Sequence, residues 1–133
     1  MQLVLLLAAD YANVAQGGKV NVMGIFRAVF AQRFPVVHTS MVLVIKLAPG
    51  LGEKKSRRLT VKFLDHDGTE LGKIEGTLEI PQHKGNLPPE INALFELRGL
   101  QFPHPGMYQF SVYVDDDLKG TLPIEAVQGP PPE

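Results

Sequence analysis

At 133 residues the chain is the length of one domain, and surface scaling gives it roughly 7,000 Å² exposed when folded against about 21,000 Å² unfolded, enough burial for a core without staples. It has no cysteine, which excludes disulfides and thiolate metal sites. A net charge of -1 gives no electrostatic reason to expect nucleic acid or an anionic membrane as partner.

The first segment, Leu3-Val-Leu-Leu-Leu-Ala-Ala9, has the apolarity of a signal-peptide core. No Lys or Arg precedes it, however, and Asp10-Tyr11 follow at once. It is also far too short to cross a bilayer. It reads as a buried central strand from Gln2 to about Ala9, and the protein is expected in the cytoplasm. Gln16-Gly17-Gly18-Lys19 predicts a hairpin turn, the glycines supplying positive φ. A second strand follows from Lys19 to about Ala31, with Val20, Val22, Phe26, Ala28 and Phe30 on one face. Phe34-Pro35 ends it. The third strand, about Ser40 to Leu47, is apolar almost throughout.

After a charged loop from Pro49 to Ser56, Leu59, Val61 and Phe63 alternate with Arg58, Thr60 and Lys62, which predicts a half-buried strand. Asp67-Gly68 suits a type I′ hairpin. The next strand sets Ile74, Leu78 and Ile80 inward, with Lys73, Glu75, Thr77 and Glu79 outward. Pro81 to Glu90 is a polar connection. From Ile91 to Phe102 the parity switches, because Phe95 and Leu97 share one face by count while Leu100 and Phe102 share the other. A β-bulge is expected at Arg98-Gly99. The Pro-His-Pro-Gly106 turn then feeds a strand with Tyr108, Phe110, Val112 and Val114 on one face. Tyr108 is either a tyrosine corner or a core tyrosine with its hydroxyl at the rim. Asp115-Asp116-Asp117 turns the chain into a last strand, with Leu122, Ile124 and Ala126 inward and Pro123 near a sheet edge. Residues 1–128 form the expected domain and 129–133 a Pro-rich flexible tail.

These signals predict an all-β protein. They specify an antiparallel two-sheet β-sandwich, immunoglobulin-like with Greek-key connections, of about eight strands and little or no helix. One asymmetry bears on function. The first and third strands are apolar on both faces, so if Leu43 and Ile45 face the core, Val42 and Val44 face outward, and Val4 and Leu6 oppose Leu3, Leu5 and Leu7 in the same way. A two-layer sandwich has one interior, so Val4, Leu6, Val42 and Val44 become candidates for an interface with another protein, most economically a second copy, although a loop of the same chain would serve as well.

Chemistry-bearing residues are sparse. His38, His66, His83 and His104 each sit beside a predicted turn, with no i, i+2 or i, i+4 pairing that would nominate a metal pair, so surface loops are expected for all four. Asp65-His-Asp-Gly-Thr-Glu70 resembles a fragment of a calcium loop but lacks the remaining ligands, and a hairpin accounts for it. Asp115, Asp116 and Asp117 are the better calcium candidates, because three adjacent carboxylates repel one another unless a cation or solvent screens them. Glu53-Lys-Lys-Ser-Arg-Arg58 reads as a solvated loop. No serine lies in a Gly-x-Ser-x-Gly turn, and Gly17-Gly18 precedes no helix that would cradle a phosphate.

Ala8-Ala-Asp-Tyr-Ala-Asn-Val14, Gly18-Lys-Val-Asn-Val-Met-Gly-Ile-Phe26, Phe34-Pro35 and Phe102-Pro-His-Pro-Gly106, in this order, resemble a family of small bacterial and phage-associated β-sandwich proteins known only as a domain of unknown function. The resemblance spans nearly the whole chain. It departs at the last hairpin, where Asp-Gly is expected and Asp115-Asp116-Asp117-Leu118 stands. It implies the sandwich and no known activity. The expectation from residues and resemblance together is a non-catalytic module without cofactors that acts in structure or protein interaction, partnered by itself or another protein, with neither nucleic acid nor membrane. The alternative is a sandwich that binds calcium or carbohydrate at its loop ends.

Overall fold

Strands that are apolar on one face and polar on the other form where their alternation places them. In the computed structural model, which describes residues 1–82 and 85–133, β5 (Ser56–Leu64) buries Leu59, Val61 and Phe63, and β8 (Gly106–Val114) buries Tyr108, Phe110, Val112 and Val114. His83 and the middle of the connection after Pro81 lie outside the described residues. β6 (Glu70–Glu79) turns Ile74 and Leu78 inward, and β9 (Asp117–Gln128) does the same with Leu122, Ile124 and Ala126. The remaining strands are β1 (Gln2–Val14), β2 (Val20–Phe26), β3 (Ala28–Ala31), β4 (Val36–Ala48) and β7 (Ile91–Phe102).

They make two sheets, ordered β2-β1-β4-β7 and β3-β9-β8-β5-β6, with the core between them. The sandwich is as expected, with nine strands among the described residues. The extra strand arises because the predicted second strand divides at Arg27: β2 pairs with β1, whereas β3 changes sheets and pairs with β9 in parallel. The change of sheet also resets parity, so Val29, rather than Phe30, joins the core.

Three local predictions need correction. The register of β4 with β7 runs unshifted past Arg98-Gly99, so there is no bulge. The parity switch is nevertheless real. Gly99 takes φ +69°, open to a residue without Cβ, and the facing strand switches with it, Val36 and Phe102 packing inward at one end and Leu43 and Phe95 at the other. At Asp67-Gly68 only Gly68 has positive φ, whereas a type I′ turn needs two such residues. Bonds from Gly68 N–H to Asp65 C=O (3.0 Å) and from Asp65 N–H to Thr69 C=O (3.0 Å) instead define a longer turn ending in a left-handed glycine. Finally, β1 carries an irregularity between Leu3 and Leu5. That extra residue reverses the face assignment beyond it: Leu6 and Ala8 pair with Ile45 and Leu43 on the core side, leaving Leu5 and Leu7 outside.

Tyr108 is a tyrosine corner. Its hydroxyl donates to the His104 carbonyl (2.6 Å) and accepts from the His104 N–H (3.1 Å), which ties the β7–β8 turn to the core. The two long sides of the sandwich differ. On one side Leu3 sits directly over Gly120 of β9, where a Cβ would collide with it. The crossing from β2 to β3 lies on that side too. On the other side β6 and β7 face each other as free edges. The accessible surface is 8207 Å², above the roughly 7,000 Å² that scaling gives, in keeping with one open side and the exposed residues 130–133.

Candidate functional site

The outer face of the β2-β1-β4-β7 sheet is where an interface was expected. Val44 and Val42 do point outward there, in register with Leu7 and Ala9, yet they are only 1% and 8% exposed. Their cover comes from the same chain. Asn92 Nδ2 on β7 donates to the carbonyl of Gly18, 3.2 Å away in the β1–β2 turn. Since β4 separates β1 from β7 in the sheet, the tip of the β1–β2 hairpin has folded back across β4 to reach that bond. Ala12 accordingly shares a hollow with Val42 and Leu94. The turn-back occurs at Asp10 and Gly24, where φ is +73° and a Cβ would strike the Asp10 carboxylate. Leu6 packs against the core instead of facing outward, because of the β1 irregularity. Val4 alone of the four candidates is well exposed, at 50%.

The acidic turn is engaged as well. Asp115, at φ +52°, accepts from Arg57 Nε (2.5 Å) and from the Arg58 N–H (3.1 Å), and Asp116 accepts from Arg58 (2.8 Å). Arg57 also bonds Glu53, which in turn holds the amino group of Met1 at 2.7 Å. The basic segment and the acidic turn are therefore each other's counter-ions. The Arg58 N–H, and then Arg57, hold the Asp115 carboxyl below its ordinary value of 3.8. A carboxyl depressed by folding stabilises above its unfolded pKa, and that contribution disappears as pH falls through the folded value. Asp115→Asn keeps a residue tolerant of positive φ while removing the charge. The stability gap between wild type and Asp115→Asn, from urea titrations, should therefore be widest near neutrality and close as pH falls through the lowered value of the folded carboxyl. A gap that does not change with pH would show that the charge contributes nothing.

What the strand pattern did not foretell is the cleft between β6 and β7. It has a volume of about 600 Å³ and is lined by Val61, Phe63, Ile74, Phe95, Leu97 and Leu100, with Lys73, Glu96 and Arg98 also along it. Past Phe95 a hollow of about 390 Å³ continues it toward Gly76, Leu78 and Ala93. The inward positions of β6 explain the space: Gly72 and Gly76 alternate with Ile74 and Leu78, and beyond Gly76 a Cβ would meet nothing within 4 Å. Two inward glycines on one strand were the signal in the sequence. Without knowledge that β6 is an edge, they carry no meaning.

One histidine departs from the expected turn position, while His66 and His104 keep it. His38 lies within β4, half-buried beside Phe26 with ring centroids 5.6 Å apart. His66 and His104 belong to separate turns that meet, their rings edge to face at 5.2 Å.

A model of the family of unknown function DUF6941 matches residues 4–127. The chain belongs to that family. The match takes in every strand of both sheets, so the sandwich described above is the DUF6941 domain. No curated protein matches the sequence. Among the described residues, no helix is long and apolar enough to cross a membrane.

Proposed function

We propose that this DUF6941 chain is a non-catalytic protein-interaction module that associates through its open side, with β6 of one copy pairing antiparallel to β6 of a second. The observation that carries the reading is the free edge of β6. After an irregularity at Leu71 it runs in unbroken register from Gly72 to Glu79, with no positive-φ residue and no proline, and an apolar cleft lies beside it. An unpaired edge of that kind is a template for another strand.

Charge selects the partner strand. Pairing about a two-fold axis at Ile74 sets Lys73 opposite Glu75 twice, with Gly72 opposite Gly76. The β7 edge on the same open side carries Glu96 and Arg98 around Leu97. Antiparallel pairing of Ile74 with Leu97 would set Lys73 against Arg98 and Glu75 against Glu96, which is repulsive. A two-fold axis perpendicular to the extended sheet also puts both clefts on the same face, opening toward each other, so their apolar linings shelter one another.

Sedimentation equilibrium of the full chain tests the reading. A dimer is expected. Lys73→Glu and Glu75→Lys should each weaken it about tenfold, since two attractive cross-strand pairs become repulsive, at roughly 0.2–1 kcal/mol per pair. The double swap should return near wild type. A strict monomer at millimolar concentration, or a dimer indifferent to all three variants, rejects the pairing. The absence of catalysis is part of the same proposal, supported by the buried Ser111 hydroxyl accepting from Gln109 Nε2 (3.0 Å) instead of facing a base.

A further inference from the structure

At one end of the sandwich the β5–β6 turn and the β7–β8 turn bring together groups that are far apart in the chain. Asp65, His66 and Asp67 each offer a ligand atom, and these atoms lie within 4.8 Å of one another. The His104 ring lies edge-on to that of His66, at 5.2 Å between centroids. Two imidazoles and two carboxylates from two turns are a donor set for a borderline divalent ion.

The hydrogen bonds of His104 fix which of its nitrogens is free. The Tyr108 hydroxyl spends its hydrogen on the His104 carbonyl at 2.6 Å, so toward His104 Nδ1, 3.3 Å away, it presents only lone pairs. The other neighbour of Nδ1, the Pro105 carbonyl at 3.1 Å, is likewise only an acceptor. Nδ1 therefore carries the proton, and in the neutral ring Nε2 keeps a bare lone pair. A ring whose second nitrogen donates to a backbone carbonyl is how metal-binding histidines are commonly held. Across the gap, Asp65 Oδ1 accepts the N–H groups of Asp67 (2.9 Å) and Thr69 (3.0 Å), which orients the carboxylate and leaves Oδ2 for a ligand. His66 Nε2 lies 3.2 Å from Asp67 Oδ1, a separation at which one cation can replace a shared proton. Ligand atoms on a tetrahedral zinc, at bonds of about 2.0–2.2 Å, stand roughly 3.4 Å apart. His66 and Asp67 are 54% and 71% exposed, so their side chains are free to close on an ion and an ion can reach them.

We propose that Asp65, His66, Asp67 and His104, the last through Nε2, form a site for a divalent transition ion, zinc or cobalt in preference to calcium. The imidazoles argue against calcium, which takes six to eight oxygen ligands. Bound there, the ion would clip the β5–β6 hairpin to the turn that Tyr108 anchors. The site is independent of the β6 pairing and stands or falls without it.

The test is isothermal titration of the chelator-treated full chain with zinc, with cobalt absorption as a readout of geometry. One equivalent of zinc should bind, cobalt should give the intense visible bands of tetrahedral coordination, and the thermal midpoint should rise with zinc. Calcium should give no heat. His66→Ala and His104→Ala should each lower zinc affinity by about tenfold or more, while Asp116→Asn, in the opposed acid–base cluster, leaves it unchanged. Circular dichroism of the apo variants verifies that each is folded. Failure of zinc to bind below about millimolar, or equal affinity in wild type and either histidine variant, overturns the site.

Discussion

Truncating Phe63 to alanine is expected to lower the unfolding free energy by about 3–5 kcal/mol, a large fraction of what a domain of this size has to lose. Phe63 is only 4% exposed and sits among three other rings. It stacks on Tyr108 at 5.5 Å, meets Phe102 edge-on at 5.5 Å and tilts against Phe110 at 4.9 Å. Tyr108 is the corner and Phe102 ends β7, so this cluster joins both sheets where the chain passes from one to the other. Alanine removes one wall of each contact, and the inner ends of these strands are too constrained by pairing on both sides to collapse into the space. The cleft supplies an internal control. Leu71 lines the same cleft but at its rim, 39% exposed, and Leu71→Ala should cost under about 1 kcal/mol. Urea unfolding by fluorescence-independent means, such as circular dichroism, suits a chain without tryptophan. Similar costs for the two variants would show that Phe63 is not the centre of the core.

The difference between those two leucine and phenylalanine positions was readable from the sequence only in part. Where one face of a strand is polar, alternation gives the inward set without ambiguity, and Leu59, Val61, Phe63, Tyr108, Phe110, Val112 and Val114 are all buried as their spacing requires. Alternation has no purchase on β1 and β4, because residues apolar at every position look the same after a shift of one. The irregularity between Leu3 and Leu5 then reversed the faces of Leu5, Leu6 and Leu7 without changing the composition at all. The folded-back hairpin is a longer-range matter. Its bond from Asn92 to Gly18 joins residues 74 apart, and no local pattern announces it. The cleft and the His66–His104 contact share that character: each depends on which strands end up at an edge or which turns end up side by side, and both are properties of sheet order.

Replacing Val44 by aspartate tests the hairpin cover most severely, and Val4→Asp is its counterpart. Both valines belong to the apolar surplus that needed shelter, but Val44 is sealed between Leu7 and Leu94 in register and roofed by the chain's own hairpin, whereas Val4 is half exposed. An unpaired carboxylate at Val44 has to be desolvated with no cation beside it, at a cost of several kcal/mol, enough to leave the chain largely unfolded at neutral pH. At Val4 the same change should stay within about 0.5 kcal/mol. The sign of the pH dependence separates burial from a mere packing defect. Burial raises the pKa of the new carboxyl above its unfolded value, so protonation favours the folded state, and Val44→Asp should regain stability relative to wild type as pH falls from 7 toward about 4. Val44→Ala, which leaves a cavity and no charge, should show no such recovery. If instead Val44→Asp melts like wild type at neutral pH, water reaches that face, the hairpin does not close over it in solution, and the outer sheet returns as a surface for another chain to cover.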